Sequence, residues 1–333
     1  MDRRRRRPAK ELAVARLFGG FVLAGFVGVS ALAALGDAPI RGMLWVAKDA
    51  PTARALGSVP TECLKSPADP ALAARVEVGR AAFRTPVLLG GQAGRAGINC
   101  ETCHRDGRGN PDFLFPGVSG APGTADVTNS LFSTHRGNGV DDPKPIPDLS
   151  GPKAKLKISQ APGEKKLEPF IHGLITEEFD GPEPTPAVLD GLAAYVRALD
   201  PADCPAKPRR PLGVGLLMAD ARRALKAAEA EATAGDAATA VVMVASARSR
   251  LGLIDERYAA PTLAKPRAAL RAADHRLAEA QDALRRRDPD APKRLAAWLT
   301  ASGPLEVELN AGQRQSLFNP ARLTQAVKRR LPG

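Results

Sequence analysis

Aromatic side chains are scarce. They make up 4% of the 333 residues, and beyond residue 211 only Tyr258, Trp298 and Phe318 remain. A nucleic-acid binder needs basic residues clustered with stacking aromatics on one face. The formal charge of +12 does not supply that cluster. Residues 1–59 carry +6, residues 60–211 carry −1 and residues 212–333 carry +7. The basic character belongs to the two ends, and no nucleic-acid role is expected. Cysteine, histidine and methionine are equally sparse, at four each. With so few side chains able to ligate or react, their placement is informative.

Half of the cysteines and one histidine fall within five residues, in "CETCH" at Cys100, Cys103 and His104. Three chemistries fit such a group. The two thiols can form a disulfide. They can hold zinc, which calls for four ligands and commonly a second close Cys or His pair. Or they can attach a c-type haem: each thiol adds to one vinyl group, and the next His reaches the iron from the same turn. C-x-x-C-H as it stands is the signature of haem attachment, and one covalent haem c is the expected cofactor. His104 is then the proximal iron ligand.

The N-terminus reads as a membrane address. "MDRRRRRPAK" places five arginines in a row, and residues 17–35 follow without a charge. As a helix, such a run spans about 28 Å, close to the hydrocarbon thickness of a bilayer. It exceeds the core of an ordinary signal peptide. Arginines stay cytoplasmic, so the remainder is exported. An uncleaved transmembrane helix in the inner membrane, with the rest in the periplasm, is expected; "ALA" at 31–33 offers a cleavage site that would give a secreted form. Export agrees with haem attachment, which in bacteria takes place outside the cytoplasm.

Four regions follow: a basic N-terminus and anchor (1–36), a linker (37–60), a loop-rich domain (61–205) and an Ala/Arg-rich helical domain (206–333). Twenty of the thirty prolines lie in 60–211, which favours loops wrapped around something over long regular elements. Two helices bracket these loops. The first opens at Asp69-Pro70, an N-cap with proline at the first helical position, and aligns Leu72, Val76, Gly79 and Phe83. The last spans about 186–199, with an apolar stripe of Leu189, Leu192, Val196 and Leu199 beside Tyr195. "AKPRRP" at 206–211 reads as a hinge. Beyond it the periodicity predicts helices near 214–232, 236–258, 262–287, 290–301 and 319–331, a small bundle. The fold class is therefore all-α.

Residues 69–205 resemble a class I-type cytochrome c domain. The resemblance rests on the helix with Gly79 and Phe83, on "CETCH", and on the closing helix with Leu192 and Tyr195. In that fold the first and last helices cross where a small residue lets a ring lie close. More narrowly, "GINCETCHRDGRGNPDF", "PGTADVTNSLFS" and "IPDLSG" look like one haem domain of the bacterial diheme cytochrome c peroxidases and methylamine-utilisation enzymes. Those enzymes carry two CxxCH motifs, and this chain carries one. The two-haem mechanism is thus absent within a single chain.

No methionine lies between the motif and residue 205, the four being Met1, Met43, Met218 and Met243. The sixth ligand is therefore expected to be His135, in the Gly-rich "FSTHRGNG", with His172 as the alternative; lysine or an open position is a third option. His275 reads as solvated. Cys63 and Cys204, just outside the bracketing helices, are candidates for a disulfide clasp, which an oxidising periplasm permits; two unpaired thiols are the alternative. Arg105, Arg108 and Arg136 are candidates for haem propionate contacts, because guanidinium binds carboxylates in a fork. Lysines in 153–166 form a basic patch suited to steering an acidic redox partner. The expected activity is single-electron transfer between periplasmic or membrane redox proteins, with the helical tail docking a partner. The alternative is a peroxidase-like haem enzyme or a sensor with an open or labile sixth position.

Overall fold

The computed structural model describes residues 40–330. The stretch 17–35, read above as an anchor, lies outside them. The described residues are mostly helical, at 60% helix and 5% strand. In chain order the described helices are α1 (Thr52–Ala55), α2 (Pro70–Ala82), α3 (Gly91–Ala96), α4 (Cys100–Cys103), α5 (Leu167–Gly173), α6 (Pro186–Ala198), α7 (Val214–Thr233), α8 (Ala237–Arg257), α9 (Ala264–Arg285), α10 (Ala291–Gly312) and α11 (Pro320–Arg330). Short strands β1 (Ser58–Pro60), β2 (Thr124–Ala125), β3 (Lys144–Pro145) and β4 (Arg209–Pro211) pair antiparallel as β1 with β4 and β2 with β3.

The bracketing helices form for local reasons. Asp69 caps α2 by accepting from the Leu72 amide at 2.8 Å, and Pro70 needs no donor in the first turn. Thr185 caps α6 in the same way, accepting from the Val188 amide at 3.2 Å ahead of Pro186. The two helices cross at Gly79 and Gly191. A Cβ on Gly79 would stand 1.8 Å from the Gly191 carbonyl oxygen, so only glycine permits this approach. Phe83 and Tyr195 then meet edge to face at 5.2 Å.

The helical tail does not stand apart. α7 and α8 pack against α2 as well as against each other, and α10 closes on α7 and α9. One apolar core runs from Phe83 and Tyr195 through Met218 and Met243 to Leu277 and Trp298. The segment read as a hinge is tied down: β4 pairs with β1 in register Ser58↔Pro211, and Thr61 Oγ1 donates to the Lys207 carbonyl at 2.6 Å. The boundary drawn at 206 is a change of composition and not a break in packing. The described part of the linker is ordered for the same reason. Ile40, Ala55 and Leu56 bury themselves against Leu323 and Val327 of α11.

α10 continues well past residue 301, through Pro304. A proline inside a helix removes one hydrogen bond and crowds the preceding turn, a cost of about 3 kcal/mol. Leu305 and Leu309 are buried beyond it, and Trp298 donates to the Ala273 carbonyl at 3.0 Å before it. Their packing outweighs the local defect. α8 is long and apolar enough to cross a membrane by composition, yet half of its apolar window is buried between neighbouring helices. It is a core helix.

Candidate functional site

α4 is a single turn, and its start is specified by a reciprocal cap. Asn99 Oδ1 accepts from the Thr102 amide at 3.0 Å while Thr102 Oγ1 accepts from the Asn99 amide at 3.1 Å. Asn99 Nδ2 also donates to the Arg84 carbonyl at 3.0 Å, and Asn110 Nδ2 donates to the Thr102 carbonyl at 2.9 Å. The chain leaves the turn at His104, where φ −110° and ψ 71° end the helix. Asp106 and Gly107 then take left-handed backbone (φ 49° and 75°). A Cβ on Gly107 would meet Leu199 Cδ1 at 2.5 Å, so that position needs glycine for space as well as for conformation.

This geometry places Cys100 and Cys103 on one side of the turn. Both are thiols that bond neither to each other nor to another cysteine. Cys100 packs against the main core. Cys103 packs against a second apolar cluster built around Ile98, Phe113, Val118 and Phe132. The pair therefore sits on the seam between two apolar walls. Burial pushes each thiol up to about 12, so both stay protonated. Among the described residues no group of three His, Cys, Asp or Glu is arranged to hold a metal.

The His104 ring has one nitrogen engaged. Nδ1 lies 3.0 Å from the Pro147 carbonyl oxygen, an acceptor only, so Nδ1 carries the proton. Nε2 is then the lone-pair nitrogen, and it has no protein hydrogen bond among the described residues. Burial brings the imidazole down to about 4, against the opposing pull of Pro147 and Asp148, and the ring is neutral. A backbone acceptor on one nitrogen is the usual way a ligating histidine is oriented. Phe83 lies beside the ring at 6.4 Å.

The second wall is an aromatic run that composition alone did not disclose. Trp45 stacks on Phe115 at 4.9 Å, Phe115 meets Phe132 at 5.0 Å, and Phe132 meets Phe179 at 5.4 Å. The available signal was uneven distribution: five of the ten phenylalanines fall in 113–179. Two thiols, one oriented imidazole and apolar walls on both sides form a donor set that fits a covalently held, iron-containing macrocycle.

Behind the turn lies a buried ion network that sequence reasoning missed. Arg84, 2% exposed, reaches Glu62 at 2.9 Å, Asp106 at 2.6 Å and Glu101 at 3.3 Å. Arg80 adds a second bond to Glu62, and Tyr195 donates its hydroxyl to Glu62 at 2.6 Å. Arg250 from α8 pairs with Glu101 at 2.7 Å, and Arg210 with Asp106 at 3.2 Å. Burial alone would raise the Glu62 carboxyl; Arg84 and Arg80 outweigh it and hold the group at about 2. Arg80, in the last turn of α2, and Arg84, just past its end, stand four residues apart, a faint signal that Phe83 between them obscured.

The other candidate residues are placed as follows. Cys63 and Cys204 form a disulfide, with Cα atoms 4.1 Å apart. Arg108 pairs with Asp148 at 2.7 Å and points Nη1 at Cys63 Sγ, 3.2 Å away. Arg105 donates to the Ala55 carbonyl, and Arg136 pairs with Glu177 on the surface. All three arginines offered for propionates thus have protein partners. His135 is 63% exposed and bonds Asp180 at 3.1 Å. His172 bonds Glu183 at 2.9 Å. Each ring is held at the surface by a carboxylate. Met218 and Met243 are fully buried in the tail core. His275 is exposed beside Glu279. The basic patch loses Lys153, which donates to the Leu149 and Val196 carbonyls at 3.1 and 3.0 Å and so caps the end of α6; Lys166 pairs with Glu164. The chain matches no protein-family model, no curated protein and no solved structure.

Proposed function

We propose that this chain is a monohaem c-type cytochrome, tethered at the periplasmic face of the inner membrane by residues 17–35, that passes single electrons between redox proteins. The observation that carries the reading is the α4 turn. It presents two protonated thiols on an apolar seam and an imidazole whose Nδ1 is held by Pro147, leaving the Nε2 lone pair for a metal. When bound there, haem would supply a one-electron couple at iron.

The chain's own residues account for the rest. Cys100 and Cys103 would hold the group covalently, and His104 Nε2 would ligate it. Pro147 fixes the ring plane. The aromatic run from Trp45 to Phe179 keeps water away from one side, and Phe83 with Tyr195 does so on the other. The Arg84 network fixes the turn from behind. An electron carrier needs such a rigid site.

The test is covalent loading. The full chain, made in a host that attaches c-type haem, is expected to gain the mass of one haem and keep its colour after denaturation. A Cys100→Ala/Cys103→Ala chain is expected to gain neither. A wild-type chain without the added mass overturns the reading. A second reading, a peroxidase-like enzyme or a sensor with an open sixth position, is favoured by one observation: His135 and His172 are bound to surface carboxylates, and Met218 and Met243 are buried in the tail. A ferric high-spin resonance that shifts with cyanide selects it, whereas a low-spin signal selects the carrier.

A further inference from the structure

The tail reaches the haem-binding turn directly. Arg250, midway along α8 and 3% exposed, sends Nη1 to Glu101 Oε2 at 2.7 Å and Nη2 to the Arg84 carbonyl at 2.8 Å. Ser246, one turn earlier on the same face, donates Oγ to the Ala81 carbonyl at 2.7 Å. The other oxygen of Glu101 is 3.3 Å from Arg84. Glu101 lies inside the CxxCH sequence, between the two cysteines, so both of its oxygens are committed to buried guanidinium groups. One of these comes from a segment more than 140 residues away in sequence.

From this geometry we infer that Arg250 is a positioning residue for the haem-binding turn, and that through it the C-terminal helices set the potential of the haem as well as the posture of Cys100 and Cys103. The inference deepens the haem reading and rests on it. Two effects are combined. Mechanically, Arg250 and Ser246 clamp α8 onto the end of α2 and onto α4. Electrostatically, Arg250 and Glu101 are opposite charges buried beside the iron site, where screening by water is weak. A cation near the iron favours the reduced state, and an anion favours the oxidised one.

The experiment uses the full haem-loaded chain and potentiometric titration at fixed pH and ionic strength. Arg250→Met is expected to lower the midpoint potential, Glu101→Gln to raise it, and Arg250→Lys to return it most of the way to wild type. A purely packing role would move the first two in the same direction, because both break the same pair. Same-sign shifts, or no shift in either variant, overturn the electrostatic inference. If Arg250→Met does not fold, the Glu101→Gln shift still gives the sign, and a lowered potential in that variant overturns the electrostatic inference. Hydrogen exchange on the haem-free Cys100→Ala/Cys103→Ala chain tests the clamp separately: adding Arg250→Met is expected to speed exchange across residues 99–108. Unchanged exchange there overturns the clamp. Failure of the haem reading is recognised independently, by a chain that acquires no covalent colour.

Discussion

Replacing Gly79 with alanine tests the helix crossing on which the proposed haem pocket depends. The added Cβ would lie 1.8 Å from the Gly191 carbonyl oxygen, 2.1 Å from its carbon and 2.6 Å from the Leu192 amide nitrogen. All three are backbone atoms in the middle of α6, so no side-chain rotation relieves the clash. The helices must separate by more than an ångström, and the Phe83 to Tyr195 contact loosens with them. Forcing atoms into a packed core costs about 1–3 kcal/mol, occasionally more. Alanine returns up to about 1 kcal/mol of helix propensity. With a backbone clash at the upper end of that cost, about 3 kcal/mol, the expected net loss is about 2 kcal/mol, a large share of the roughly 5–15 kcal/mol that holds a typical domain together. Gly252→Ala is the matched control. That glycine is also helical, in α8, but nothing lies within 4 Å of its would-be Cβ. Propensity alone then acts, and this variant is expected to gain up to about 1 kcal/mol. Urea unfolding followed by circular dichroism reads both. A Gly79→Ala chain within about 0.5 kcal/mol of wild type would refute the crossing, given the usual cost of overpacking.

Other perturbations probe the surrounding structure. Glu62, held at about 2 in the folded chain against an ordinary 4.5, contributes stability above pH 4.5 that is lost as the pH falls toward 2; by linkage this is about 3 kcal/mol. Glu62→Gln is expected to be less stable at pH 7 and flatter between pH 4.5 and 2 in acid titrations of unfolding; parallel curves would contradict the network. Replacing Cys63 and Cys204 with alanine opens a loop of 141 residues. Chain entropy puts the expected loss at about 5 kcal/mol, read as a lower urea midpoint relative to the oxidised chain. Trp298→Phe removes the indole hydrogen bond to the Ala273 carbonyl, and about 1 kcal/mol of destabilisation in thermal unfolding is expected.

Local signals in the sequence carried a good part of the fold. Asp69-Pro70 and Asn319-Pro320 start α2 and α11 where the pairs stand, because capping depends on residues within one turn of each other. The tail helices follow their 3.6-residue periodicity for the same reason. α10 outran its expected end because residue 304 is a proline, and only Trp298, Leu305 and Leu309 packing on other helices outweighs it. The α4 turn was legible because Asn99, Cys100, Cys103 and His104 are contiguous. Arg84, Glu62, Asp106 and Arg250 were not, since their separations of 22 to 149 residues leave no periodic trace. The placement of His135 and His172 depends on Asp180 and Glu183, carboxylates supplied by the turn ahead of α6.

That non-local network also explains why a largely irregular segment can hold a precise site. Between α4 and α5 the described chain contains only two-residue strands and short turns, so its own backbone ladders cannot fix the orientation of the CxxCH turn. Apolar packing against the aromatic run is tolerant of small rotations. A buried ion network is not, because a guanidinium that loses its carboxylate leaves an uncompensated charge, at about 3–5 kcal/mol. Well-packed apolar residues in the same space would often be as stable or more so. Net stability is therefore a poor reason for the network, and angular specification is a better one. Arg84 joins Glu62 ahead of α2, Glu101 inside the motif and Asp106 just after it, while Arg250 adds the tail. Rotation of the α4 turn would break several of these contacts together, so the turn has one low-energy posture in place of a continuum.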